Sequence, residues 1–180
     1  MSKVLIIKTS HRAKSNSDIL ADKVTDGAKA AGHDVEVISL KDKTVGFCKG
    51  CLACQKTQKC VINDDAAEIA EKVKNADTIV FATPIYYYEM SGQMKTLLDR
   101  LNPLFPSDYR FRNVYMLSTA AEDETFVPEK AVSGLNGWVD CFERASFNGS
   151  LFCGGINDMG EADGKEEEKQ EAYEFGKNLL

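Results

Sequence analysis

Short apolar runs alternate with amphipathic helical patterns along this chain, and that alternation restricts its fold more than any other feature. Val4-Leu5-Ile6-Ile7 reads as a first strand, and residues 17–31 read as a helix with Leu20, Val24, Ala28 and Ala31 on one face. Val35-Glu36-Val37-Ile38 forms a second strand. Asp64 or Asp65 caps a helix that turns Ala66, Ile69, Ala70 and Val73 inward, with Glu68 three positions beyond Asp65. A third strand, residues 78–82, is expected to stop at Pro84. A helix restarts at Ser91 with Met94, Leu97, Leu98 and Leu101 on its apolar stripe. The fourth strand is residues 113–118, and residues 129–142 form a helix weakened by Gly134 and Gly137. A fifth strand falls within 146–154, and an acidic last helix runs over about 164–179. Five strands alternating with helices mean an α/β fold, a parallel sheet covered on both faces. No repeat or Gly/Ser/Pro-rich linker interrupts residues 1–180, so one domain is expected.

Sheets of this kind bind ligands beyond the carboxyl ends of their strands, where the strand order reverses. After strand one comes Thr9-Ser10-His11-Arg12-Ala13-Lys14-Ser15-Asn16-Ser17, rich in hydroxyls and cations and free of glycine. Free amides and the positive end of a helix dipole, with hydroxyls and Arg12 around them, make a site for a single terminal phosphate. The blander alternative makes Ser17 an N-cap and leaves Arg12 and Lys14 as solvated charges. The glycine-rich dinucleotide fingerprint and the Walker pattern are both absent. After strand three stand Thr83-Pro84-Ile85-Tyr86-Tyr87-Tyr88, whose rings and backbone amides suit a flat ligand with polar edges. Packing of these tyrosines on a neighbouring element is the alternative. After strand four, Thr119-Ala120-Ala121 are small enough to let backbone approach a planar ring, before the acidic Glu122-Asp123-Glu124.

After strand two, Cys48, Cys51, Cys54 and Cys60 form a C-x2-C-x2-C-x5-C run. The first three have the repeat of ferredoxin-type cluster loops, while free or redox-active thiols and zinc remain open. Lys49, Lys56 and Lys59 would favour the thiolate in each case. Cys141 and Cys153 fall on apolar positions and read as small core residues. A net charge of −6 and a pI near 5.0 argue against nucleic acid or an anionic membrane as partner. No apolar stretch nears the ~20 residues of a membrane span, and no signal-peptide core opens the chain, so a cytoplasmic location with reduced cysteines is expected. Neither His11 nor His33 is placed as a catalytic base, and no aspartate ends strand three, which excludes a phospho-receiver site.

Strand-Thr-Ser-x-Arg-x-x-Ser-Asn-Ser-helix, the four-cysteine loop running into Asp64-Asp65, and Thr-Pro-x-Tyr followed by Ser-Gly-Gln-Met-Lys-x-Leu-Leu-Asp-Arg resemble the NADPH-dependent FMN reductase superfamily. The similarity is strongest to its iron–sulfur flavoprotein branch and covers residues 1 to about 125. The resemblance implies a flavodoxin-like three-layer sandwich with a five-stranded parallel sheet of order 2-1-3-4-5. It also implies a homodimer or dimer of dimers, and FMN bound without covalent attachment. Ser10, Arg12, Asn16 and Ser17 would hold the phosphate. Thr83, Pro84, Ile85, Tyr86, Tyr87 and Tyr88, with Thr119 and Ala120, would bracket the isoalloxazine. Cys48, Cys51, Cys54 and Cys60 would be the ligands of a 4Fe–4S cluster if one is held, and the resemblance leaves that open because the superfamily includes members whose cysteines carry none. Thr9 and His11 stand where members often carry glycine and proline. The implied function is an FMN-dependent oxidoreductase, with chemistry carried by FMN and no catalytic side chain. It would pass electrons from NAD(P)H or a small carrier to a quinone, free flavin or other small molecule. A flavodoxin-type or iron–sulfur electron carrier with no substrate turnover of its own is the alternative.

Overall fold

The computed structural model describes residues 1–180. Five parallel strands carry it: β1 (Lys3–Lys8), β2 (Asp34–Ser39), β3 (Thr78–Tyr86), β5 (Asn113–Thr119) and β6 (Ser146–Cys153). Their order, β2-β1-β3-β5-β6, is the expected flavodoxin-like order once a two-residue strand is set aside. That strand, β4 (Glu89–Met90), pairs antiparallel with the end of β3, and the sequence reading missed it. Six helices complete the chain: α1 (Asn16–Ala30), α2 (Ala53–Thr57), α3 (Ala66–Asn75), α4 (Gly92–Arg100), α5 (Glu129–Val139) and α6 (Glu166–Lys177).

The strands are apolar on both faces because both faces are covered. Along β1, Leu5 and Ile7 point into a core shared with α3, α4 and α5, whereas Val4 and Ile6 point into one shared with α1 and α6. α6 lies against α1 backbone to backbone. A Cβ on Gly27 would meet the Tyr173 carbonyl at 1.9 Å, and one on Gly176 would meet the Val24 carbonyl at 2.1 Å.

Two expectations need correction. β3 does not stop at Pro84 but runs to Tyr86, with Pro84 paired to Thr119 of β5. The ladder to β1 has already ended at Lys8 and Ala82, so the proline's missing N–H deprives no strand of a donor. Cys153 is buried as expected, but Cys141 is exposed. α5 ends at Val139, two residues earlier than a helix carrying Cys141 inward requires, and Phe142 takes the core position instead.

Candidate functional site

The loop after β1 gathers hydroxyls and unpaired helix amides at the start of α1. Ser15 is the N-cap of α1, yet its side chain caps no helix amide; its hydroxyl lies 3.0 Å from that of Ser17. The amides of Asn16 and Ser17 meet no backbone or side-chain acceptor and remain available at the positive end of a fifteen-residue helix. Ser10, Ser15 and Asn16 are all buried. A brace from the far edge of the sheet holds the loop. Arg12 donates to the Asn157 carbonyl at 2.7 Å and the Asn16 amide donates to that of Asp158 at 2.9 Å. Asn16 Oδ1 in turn accepts from the Ala162 N–H. Residues 157–162 had no place in the sequence reading. The end of β6 was the available signal, since a ligand-binding edge includes every strand's carboxyl end.

The tyrosine segment is a hairpin. Ile85 pairs with Met90 and Tyr86 with Glu89, leaving Tyr87 and Tyr88 as a two-residue loop. Their φ values, 52° and 65°, are both left-handed, the type I′ pattern that Asn-Gly normally supplies. Two non-glycine residues in this region cost on the order of 1–2 kcal/mol each. A buried hydroxyl network anchors the turn. Thr83 Oγ1 accepts from the Ser91 N–H at 3.1 Å and donates to Ser91 Oγ at 3.2 Å, and Ser91 Oγ accepts from Met94 N–H to cap α4. Thr9 Oγ1 lies 3.1 Å from the same Ser91 hydroxyl. All three residues are fully buried, so the network ties the phosphate loop to the tyrosine hairpin from beneath.

Between these loops lies a cleft of ≈ 310 Å³. Of the proposed cofactor residues it brings together Ser10, Arg12, Asn16, Pro84, Ile85, Tyr86, Tyr87, Thr119 and Ala120. Ser15 and Ala121, read in these loops but not assigned to the cofactor, and Ile156 and Asn157, which the sequence did not single out, complete the lining. Three proposed residues stand back from it. Ser17 is buried behind Ser15, and Thr83 is turned into the hydroxyl network. Tyr88 closes an adjoining compartment of ≈ 230 Å³ with Tyr87, Glu122 and Val127. There the Tyr88 phenol donates to Glu122 at 3.3 Å, its ring stacks on Phe126, and the Lys130 ammonium lies over the ring, 5.6 Å from its centroid. The bond to Glu122 and its negative charge push the Tyr88 phenol above its usual range, so it stays a donor. Gly154 seats the loop, because a Cβ there would meet Asp123 Cα at 2.4 Å.

The largest cavity, ≈ 750 Å³, lies elsewhere, between residues 40–47 and the start of α4. Its lysines are already engaged, Lys43 with Asp65 and Lys95 with Asp99. The smaller cleft is the better candidate because it gathers the ends of β1, β3, β5 and β6 with unspent donors.

Residues 2–131 match the model of the NADPH-dependent FMN reductase family. The chain belongs to this family. An iron-sulfur flavoprotein of Methanocaldococcus jannaschii is 39% identical over 102 residues, 57% of this chain and 53% of that protein. Another, of Methanosarcina thermophila, is 28% identical over 155 residues, 86% of this chain and 81% of its own. Apart from the latter match, the chain spans about half the length of curated iron-sulfur flavoproteins that it matches, 53% and 49% in two cases. The solved structure of an NAD(P)H:quinone oxidoreductase from Methanothermobacter marburgensis superposes with a TM-score of 0.72 over 99% of both chains at 18% identity, a likeness of fold.

For an FMN reductase family member, the cleft's donor set suits the cofactor. Hydroxyls, a guanidinium and free helix amides stand at one end, and small side chains and strand-end backbone at the other. The four-cysteine loop does not suit a cluster as it stands. No three of its thiols form a group that could hold a metal. Cys48 and Cys51 are exposed, and Cys48 lines a groove with Trp138 and Cys141. Cys54 is buried and accepts from Asn102 at 3.1 Å. Cys60 faces a different cavity beside Arg100. The expected convergence is absent because left-handed residues at Gly50, Leu52 and Gln58 turn the short helix α2 between the thiols and separate them. The base of the loop is firm. Arg100, 1% exposed, donates to both Asp64 oxygens at 2.6 and 2.8 Å and to the Gly46 carbonyl at 2.8 Å, and Asp65 accepts from the Thr44 N–H. The hydrogen bonds from Arg100 hold the Asp64 carboxyl below the usual carboxylate range.

Proposed function

We propose that this chain is an NAD(P)H-dependent flavin oxidoreductase that binds FMN in the cleft between the β1 loop, the tyrosine hairpin and the ends of β5 and β6. When bound, FMN supplies the two-electron chemistry, taking electrons from NAD(P)H or a small carrier and releasing them to a quinone, free flavin or other small molecule. The chain's residues bind and orient. Ser10, Arg12, Ser15 and the amides of Asn16 and Ser17 take the phosphate, and the Pro84–Tyr87 backbone with Thr119, Ala120 and Ala121 receives the ring. The observation that carries this reading is the convergence of unspent anion donors and ring-admitting backbone in one cleft. A homodimer is part of the proposal, and sedimentation at micromolar concentration tests it. Steady-state NADPH oxidation with a quinone as acceptor tests the activity. Turnover is expected, and a protein that holds FMN without turnover would instead be an electron carrier.

A second reading concerns the cysteine loop. The C-x2-C-x2-C-x5-C spacing, and relatives named iron-sulfur flavoproteins, favour a 4Fe–4S cluster on Cys48, Cys51, Cys54 and Cys60. This reading requires the exposed loop to refold around the metal while Arg100 and Asp64 keep its ends. Anaerobic reconstitution tests it. About four irons and four sulfides per chain support it, and iron at background leaves the residues as thiols.

A further inference from the structure

The three tyrosines of the hairpin are not equally committed. Tyr88 is held by Glu122, Phe126 and Lys130, and Tyr86 sits in the ladder opposite Glu89. Tyr87 is 99% exposed, so its ring supports nothing in the fold. Its backbone is left-handed, where glycine or asparagine would be accommodated with less strain. The turn is nevertheless held firmly by the Thr83–Ser91 network and by the pairing of β4. Tyr87 also lines both compartments, the cleft with Arg12 and Asn157 and the apolar one with Ile85, Ala121 and Val127. A strained residue whose ring has no packing role stands at the junction of two cavities, where it would meet an occupant of either.

We propose that Tyr87 is a specificity-determining residue whose ring stacks on the incoming electron acceptor and selects planar aromatic or quinoid compounds over compact, non-planar ones. The inference rests on the cleft holding FMN. The apolar walls of the adjoining compartment leave a flat ring as the fitting occupant beside Tyr87, and stacking on a tyrosine rewards flat rings alone.

The test compares wild type, Tyr87→Gly and Tyr87→Phe as FMN-loaded protein, with a naphthoquinone and with ferricyanide as acceptors. Tyr87→Gly is expected to melt no lower than wild type, because glycine relieves the turn. Its ratio of naphthoquinone to ferricyanide kcat/KM should fall about fivefold, mainly through KM, the weight of one aromatic contact. Tyr87→Phe should restore the ratio. A lower Tm for Tyr87→Gly, or FMN bound with an unchanged ratio, overturns the proposal alone. So does a change in sedimentation between wild type and Tyr87→Gly, which would place the ring against a second copy. Wild-type protein that takes up no FMN overturns this proposal together with the reading of the cleft.

Discussion

The loops after β1 and β2 leave neighbouring parallel strands at the same edge of the sheet, and the two are held in opposite ways. Residues 9–17 are pinned along their length, by Ser91 from below and by residues 157–162 from the side, with Thr9, Ser10, Ser15, Asn16 and Ser17 all buried. Residues 47–61 are fastened at their ends, through Arg100, Asp64 and Asp65, and more sparsely in between, where Asn102 donates to the buried Cys54 thiol and Gln58 donates to the Pro106 carbonyl; most of their side chains face solvent. A phosphate site made of amides and hydroxyls exists before its ligand does, because the helix terminus supplies it. A thiol site must be assembled by what it binds. The first loop presents ordered, unpaired helix amides, whereas the second is held firmly at its base and only at Cys54 and Gln58 beyond it.

The strongest way to break this comparison is to cut the base of the second loop. Arg100→Leu leaves Asp64 buried without its partner and should cost about 3–5 kcal/mol in urea unfolding at pH 7. The sign with pH follows from Asp64. Its pKa is lowered in the folded protein, so the pair's stabilisation is present above the usual carboxylate value near 3.8 and is lost as pH falls through the folded value. The gap between wild type and Arg100→Leu should therefore shrink below about pH 4. A constant gap would mean that Arg100 acts through packing alone.

Next in size is the first loop's own contribution. Arg12→Ala with Ser15→Ala should weaken FMN binding by about 2–4 kcal/mol, read by flavin fluorescence quenching, from a charged hydrogen bond and a hydroxyl lost at the phosphate. Unchanged affinity would remove the phosphate assignment.

A smaller effect sits at the edge of that loop. Asp18 lies in the first turn of α1, where a carboxylate is ordinarily favoured, yet its Oδ1 is buried without a partner. Burial raises its pKa from 3.8 to about 6, partly offset by Lys8. A raised acid favours the folded state only while it can hold its proton, so Asp18 costs stability as pH rises from about 4 to 6 and beyond. Asp18→Asn should stabilise the protein at pH 8 by about 1 kcal/mol, the shift being discounted for partial exposure. The gain should fade below pH 4. Equal gains at both pH values would assign the effect to something other than titration.

The smallest expected effect sharpens the comparison most. Replacing Cys48, Cys51, Cys54 and Cys60 with serine should move FMN affinity by less than about 0.5 kcal/mol, as expected for sites that share no partners. A larger loss would mean that the two loops act as one site.

Much of this contrast was legible in the residues. The strand–helix alternation shows the parallel, doubly covered sheet, the family resemblance supplies its strand order, and the helix start read at Ser91 is the N-cap of α4. What escaped depended on partners distant in sequence. Pro84 reads as a stop until the early end of the β1 ladder is known. Thr83 reads as a ligand residue until Ser91 and Thr9 are seen beneath it. Asn157 enters the site only because β6 ends beside β5. The cysteine spacing suggested convergence, but spacing cannot report three left-handed residues that turn the thiols apart.

As proposed, the β1 loop recognises a phosphate joined to a flat ring. Titrating the protein with FMN and with riboflavin, which lacks only the phosphate, tests that claim directly. FMN should bind tighter by at least about 30-fold, the equivalent of about 2 kcal/mol, and the Arg12→Ala/Ser15→Ala variant should bind the two with near-equal affinity. Equal affinities of wild type for FMN and riboflavin, or binding of neither, would contradict it.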